Sequence, residues 1–155
     1  MRFPPDRNPD HLFPEFGHKV RRILKAMKAW CKVHAPDIKP VFGEGFRTRD
    51  RQHELFAQGR TKPGQIVTQK DGTHNPSRHQ SALAFDLWFE KAGRLIFEGI
   101  PDAAWDYYGH LCRSERLEWG GSWKALQDKP HTEWPAQDRA TYKAAKEWTK
   151  QHKLE

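Results

Sequence analysis

The sequence predicts an α+β fold, a small antiparallel sheet flanked by helices. Apolar residues recur at helical spacing in several long segments. Between them lie short, strand-like runs. Those runs never alternate with helices in the βαβ order that builds a parallel sheet. The 155 residues fit one domain, 1–155, and leave little room for a second.

Residues 1–14 are proline-rich and polar, and read as an extended arm. From Phe16, the positions Val20, Ile23, Leu24, Met27, Trp30 and Cys31 recur at three- and four-residue steps. That spacing places them on one face of a helix, which Ala35-Pro36 stops. Residues 38–46 are short, β-branched and punctuated by glycine, so they read as a strand. A second helix spans 48–58 with Leu55 and Phe56 inward, closed by Gly59 just past its end. Residues 59–78 form a polar loop interrupted by the strand-like Ile66-Val67-Thr68. Polar connections of that length in a small domain often carry function. In 83–89, Leu83, Phe85, Leu87 and Phe89 alternate with Ala84, Asp86 and Trp88, as the two faces of a strand. Lys91-Ala92-Gly93-Arg94 is a turn into Leu95-Ile96-Phe97. Pro101 opens a third helix with Trp105, Tyr108, Leu111 and Cys112 inside. Leu117-Glu118-Trp119 and the stretch around His131 are short strands, and Pro135 opens a terminal helix, 135–152.

Hydrophobic residues make up 36% of the chain, which is low, but seven Trp and nine Phe each bury a large area. A packed core is therefore feasible, and the chain does not read as disordered. Lys plus Arg number 27 against 20 Asp plus Glu, a net charge of +7. That favours an anionic partner: nucleic acid, a membrane face or cell-wall polymer. Arg139, Lys143, Lys146, Lys150 and Lys153 form one basic stripe on the terminal helix, with Ala144, Ala145 and Trp148 free to face the core. The stripe is most simply a solvated face; the sharper reading is a dock for anionic wall or outer-membrane polymer. Cys31 and Cys112 lack CxxC spacing and read as two buried free thiols. The first residues lack the apolar core of a signal peptide, and no run reaches the ~20 apolar residues of a membrane span. Synthesis as a soluble cytoplasmic product is therefore expected.

Most of the nine histidines lie in plainly polar segments. Two differ. His79 ends the polar loop, and seven residues on, Asp86 sits inside an apolar strand. A carboxylate there must be paired, hydrogen-bonded or metal-bound. A salt bridge to one of the many arginines would satisfy it equally. The second is Asp128-Lys129-Pro130-His131, where Pro130 forbids a helix interior and stiffens the chain. This is either a surface turn or a strand entry that presents Asp128 and His131 to one cavity. Taken together, two imidazoles and a carboxylate suit zinc and leave one position open for water. Asp128 would then be the base that takes a proton from that water.

These strings resemble a known family. Ser77-Arg78-His79-Gln80-Ser81-Ala82-Leu83-Ala84-Phe85-Asp86 is similar to the Ser-x-His-x-x-Gly-x-Ala-x-Asp motif of the D-Ala-D-Ala metallopeptidases, which share their fold with the hedgehog signalling domain. Asp128-Lys129-Pro130-His131 resembles the family's second motif, an acid three residues before the last zinc ligand. Gly45-Phe46-Arg47-Thr48 followed by Gln52 and Leu55 resembles its upstream arginine segment. Gly59-Arg60-Thr61-Lys62-Pro63-Gly64 with Val67-Thr68 is similar to the L-alanyl-D-glutamate endopeptidase branch, which includes phage endolysins. The resemblance covers roughly residues 43–134. It implies one zinc on His79, Asp86 and His131, Asp128 as general base, and Arg47 as transition-state stabiliser. Ser77 and Gln52 are implied to bind substrate, Ser77 alternatively orienting the ligand loop. Two positions depart from the pattern: Ala82 stands for the motif glycine, and the base is Asp where many relatives have Glu.

The function expected is hydrolysis of the L-alanyl-D-glutamate bond of the peptidoglycan stem peptide, an endolysin-like lysis of the bacterial wall. The alternatives are a D,D-carboxypeptidase or D-Ala-D-Ala dipeptidase on the same scaffold, and a basic cell-wall or nucleic-acid binding module with an inactive metal site. The leading reading expects a monomer with no nucleic-acid partner, acting on the cell wall or periplasm after release.

Overall fold

The computed structural model describes residues 2–155. Helix α1, Pro14–His34, carries a proline in its first turn and begins two residues before the expected start. Its inner face is Phe16, Val20, Ile23, Leu24, Met27 and Cys31, all buried. Strand β1, Lys39–Glu44, follows, and then α2, Arg49–Ala57, capped by the Thr48 side chain on the Arg51 amide. After the long loop come β2 (Ala84–Lys91), β3 (Arg94–Ile96) and α3 (Asp102–Ser114). The chain closes with β4 (Glu118–Trp119), β5 (His131–Glu133) and α4 (Arg139–Gln151).

The sheet is antiparallel throughout, in the order β1-β2-β5-β4, with β3 pairing the far end of β2. The α+β expectation holds. The alternation in β2 also holds: Leu83, Phe85, Leu87 and Phe89 are fully buried. They pack against the inner faces of α1 and α3, where Phe85 meets the rings of Phe16, Phe42 and Tyr108. Each such side chain contributes about 1.5–3 kcal/mol of hydrophobic burial. Cys31 and Cys112 are buried free thiols.

The strand register gathers the polar residues of the sheet. Glu44 of β1 pairs with Asp86 of β2, and Asp86 pairs with His131 of β5. Cross-strand partners share a face, so three polar residues stand in a row on the face opposite the apolar one. An irregularity between Phe42 and Glu44 shifts β1 and brings Glu44 into that row.

Several expectations are corrected. The arm, over its described residues 2–13, is not a free extension; Met1 lies outside the described residues. The Arg2 and Phe3 amides donate to Glu54, Asp6 accepts from the Gly45 amide, and Pro9–His11 makes a 3₁₀ turn ahead of buried Leu12. Helix α2 buries Arg51 and Gln52, while Leu55 and Phe56 are only half-buried, because its partner across the interface is the carboxylate of Glu44. Residues 66–68 form no strand; Ile66 and Val67 are exposed, and none of the three pairs with a strand of the sheet. Helix α4 starts at Arg139, not Pro135, because Asp138 supplies the cap by accepting from the Thr141 amide. On α4 the buried positions are Ala145 and Thr149, with Trp148 half-buried on Phe13, and Ala144 faces solvent.

Candidate active site

The row Glu44–Asp86–His131 forms the floor of a cleft of about 410 Å³. Its walls are α2, the loop through Val67, Thr68 and Lys70, the ligand loop at Ser77–His79, and the segment from Trp123 to Pro130.

His79 is delivered by a 3₁₀ turn, Arg78–Ser81, with a reciprocal cap. The Ser77 hydroxyl accepts from the His79 amide, and the Ser77 amide donates to Gln80. The turn ends on Ala82, whose backbone is left-handed (φ 57°). The motif's glycine would meet that conformation without strain; here alanine adopts it at a steric cost, and the turn forms. The Nδ1 of His79 lies 2.7 Å from the Gly45 carbonyl, which can only accept, so this nitrogen carries the proton. Its Nε2 is left facing Asp86, 3.6 Å from Oδ2. His131 is turned the other way. Its Nε2 contacts Glu133 Oε1 at 2.9 Å, and its Nδ1 faces Asp86 Oδ1 at 3.4 Å. One donor atom from each of His79, Asp86 and His131 lies within 4.8 Å of the others, a group that could hold a metal ion. Both imidazoles have their outward nitrogen fixed by an acceptor, which sets ring orientation.

The electrostatics favour positive charge at this point. Burial raises the Asp86 carboxyl, but His79 and His131 outweigh it and hold it well below the usual range. Burial lowers His131, but Asp86 and Glu133 outweigh it and raise the imidazole to about 9.

Asp128 opens onto the same cleft. Its amide donates to the Gly120 carbonyl at 2.9 Å, and its own carbonyl accepts from the His131 amide at 3.2 Å. A Cβ on Gly120 would lie 2.3 Å from the Asp128 carbonyl oxygen, so only glycine allows this approach. Loss of solvent around the carboxyl raises Asp128 above the ordinary carboxylate range, and the Asp86 charge adds to that.

Arg47 is buried beside the triad, with Nη2 3.7 Å from Asp86 Oδ2. Its Nε and Nη2 donate to Glu44 at 3.3 and 2.9 Å, and its Nη1 donates to Gln52 at 2.9 Å. Those bonds use three of the five guanidinium N–H groups and leave one on each Nη. Arg51 also donates to Glu44, at 3.0 Å. Burial raises the Glu44 carboxyl, but Arg47, His79 and Arg51 outweigh it and keep it low.

The structure thus gathers His79, Asp86, His131, Asp128, Arg47 and Ser77 around one cleft. Gln52 stands apart. It is fully buried, does not line the cleft, and spends its amide on Arg47 and the loop. Sequence reasoning missed Glu44 and Trp123, whose ring lies 5.1 Å from that of His131. The contact of Glu133 with His131 was likewise not foreseen. The period of two from His131 was the signal that would have placed Glu133 on the same face.

Two imidazoles and a carboxylate converging on the floor of a cleft, with a further carboxylate at their side, are the donor set that metal-dependent hydrolases use. Comparison with known proteins specifies which kind. Residues 71–134 match the peptidase M15 family, described as D-alanyl-D-alanine carboxypeptidase. The chain is 36% identical over 121 residues to the peptidoglycan L-alanyl-D-glutamate endopeptidase CwlK of Bacillus subtilis (strain 168), spanning 74% of this chain and 70% of that protein. The crystal structure of the Serratia marcescens L-Ala D-Glu endopeptidase ChiX superposes with a TM-score of 0.54 at 25% identity, over 85% of this chain and 86% of that one. The chain belongs to the M15 peptidase family and is a peptidase.

Proposed function

We propose that this peptidase is a zinc-dependent endopeptidase that cuts the L-alanyl-D-glutamate bond of peptidoglycan stem peptides. The convergence of His79, Asp86 and His131 beside Asp128 carries the reading. The names of CwlK and ChiX support the choice of bond. Two imidazoles and one carboxylate fit zinc as a three-ligand site open to water. Bound there, zinc supplies Lewis acidity toward a carbonyl and lowers the pKa of a water to about 7.

The chain's own residues do the rest. Asp128 accepts the proton of the attacking water and returns one to the leaving amine. Arg47 keeps one N–H on each Nη for the oxygen that gains charge as the carbonyl is attacked, and its buried anchors fix it before reaction. Glu133 holds His131 in the orientation that turns Nδ1 inward. Ser77 holds the His79 turn. On this reading residues 1–155 act as one domain and one monomer, of the bacteriolytic phage-endolysin kind. The family description favours a second reading, cleavage at D-Ala-D-Ala.

Digestion of purified peptidoglycan by the zinc-loaded protein separates the two. New amino-terminal D-Glu, with L-Ala carboxyl ends left on the glycan, is the expected result. Release of free D-Ala instead would overturn the L-alanyl-D-glutamate reading.

A further inference from the structure

We propose that Gln52 is a positioning residue, a single buried side chain that anchors both Arg47 and the irregular wall of the cleft. Its Oε1 accepts from Arg47 Nη1 at 2.9 Å. Its Nε2 donates to the Lys70 carbonyl at 2.7 Å and to the Thr68 hydroxyl at 3.3 Å. Both amide hydrogens and one face of the oxygen are thereby engaged. The side chain is fully buried, so no substrate reaches it.

The wall needs such an anchor. Thr68 and Lys70 line the cleft, yet residues 63–76 belong to no strand. Their fixed points include side-chain bonds: Gln58 to the Gln65 carbonyl, Arg60 to the Thr68 carbonyl, and Gln52. Of these three, only Gln52 also reaches Arg47. The loop returns past the same side chain at Gly72 (φ +90°), where a Cβ would lie 2.9 Å from Gln52 Cγ. A buried amide satisfied at both ends has one low-energy orientation. The Arg47 tip and the Thr68–Lys70 wall are therefore set by one orientation, that of the Gln52 amide.

Two variants divide the two anchors. Gln52→Glu keeps an acceptor for Arg47 but removes both donors to the loop and sets an acceptor against the Lys70 carbonyl. Gln52→Leu keeps the approximate volume and removes every bond. Three readouts apply: amide hydrogen exchange at residues 66–70, the side-chain Nε–H resonance of Arg47, and kcat and KM on a stem-peptide substrate. Gln52→Glu should speed loop exchange and raise KM while the Arg47 resonance stays sharp. Gln52→Leu should speed loop exchange, broaden the Arg47 resonance and lower kcat by about 10- to 100-fold, the value of a hydrogen bond to a charged group. Raised KM with unchanged loop exchange in both variants would overturn the proposal in favour of direct substrate contact. An unchanged Arg47 resonance and kcat in Gln52→Leu would overturn it outright. If Gln52→Leu does not fold, parent-like loop exchange in Gln52→Glu still overturns it. The kinetic arm rests on the proposed role of Arg47. Exchange and resonance do not, so a parent that fails to cleave stem peptide would sink that role and leave these two readouts to decide on Gln52.

Discussion

Two clusters of buried charge meet in the cleft, and they differ in one respect. Around Glu44 the charges are closed. Arg47 and Arg51 reach its carboxylate at 2.9–3.3 Å, and Gln52 takes a further Arg47 donor. Around Asp86 the charges are open. Its oxygens stand 3.4 and 3.6 Å from the inward nitrogens of His131 and His79, beyond good hydrogen-bond length. A closed cluster has spent most of its polar groups on itself; of the Arg47 donors, one N–H on each Nη is left over. An open one keeps donor atoms facing a shared point, where an ion could be held. Adjacent strands in register carry both, so the closed cluster holds still the residues around the open one.

The largest expected effect comes from breaking the open cluster. His79→Ala, Asp86→Ala and His131→Ala should each abolish stoichiometric zinc and, with it, cleavage of stem peptide. Elemental analysis after dialysis measures the first. Full zinc content in all three variants would show that the zinc lies elsewhere.

Asp128→Asn should leave the open cluster intact and remove only the proton acceptor. Zinc stays, and kcat falls by about 10²–10⁴-fold, the usual worth of general-base catalysis. Loss of zinc in this variant would make Asp128 a ligand. Retention of both zinc and activity would refute the hydrolytic step itself.

Glu44→Gln tests the closed cluster. It removes the carboxylate that the two buried guanidinium groups share, leaving Arg47 with Asp86 at 3.7 Å and Arg51 with Glu54 at 3.7 Å. Removing one partner of a buried ion pair costs about 3–5 kcal/mol, so urea unfolding in the presence of a chelator should show a loss of that size. The chelator matters: a defect visible without zinc belongs to the scaffold, not to the metal. Unchanged stability would mean that the closed cluster does not support the open one.

The open cluster was legible in the sequence; of the closed one, Arg47 and Gln52 were named through the family resemblance and Glu44 was not. His79 and Asp86 sit seven residues apart across a loop and an apolar strand, where a lone carboxylate cannot go unexplained. The period of two in β2 fixed which face Asp86 takes. Glu44 gave no such sign, since its partners Arg47 and Arg51 lie beyond the strand and its register depends on a local irregularity of β1. The same gap misled the reading of α2. An inward face was sought among Leu55 and Phe56, because the helical pattern presumes an apolar partner, and here the partner is a carboxylate. Residues 66–68 carry strand-forming side chains but pair with no strand of the sheet, and local propensity cannot report that. At the terminal helix the start was read from Pro135, whereas Asp138 makes the capping bond.

The smallest effect is expected where the chain departs from its family's pattern. Ala82 is fully buried, with φ 57° and ψ 27°, at the end of the turn that delivers His79. An L-residue in that region costs roughly 1–2 kcal/mol, and glycine would remove the cost. Glycine would also lose a buried methyl, worth about 0.8 kcal/mol, and would loosen the unfolded chain by about 0.4–1 kcal/mol. The terms nearly cancel. Ala82→Gly should therefore shift stability by less than about 1 kcal/mol in either direction. Zinc content and kcat should not change, because the turn is held by the Ser77–Gln80 cap and by the Phe13 amide on the Ala82 carbonyl, not by the methyl group. Ala82→Val is the matching opposite. A β-branched residue resists the left-handed region, and its extra carbons have no space, so this variant should be destabilised by more than about 1 kcal/mol. A tenfold change in kcat or zinc affinity in Ala82→Gly would show instead that the methyl sets the position of His79, and that the open cluster is tuned from its loop as well as from the closed cluster beside it.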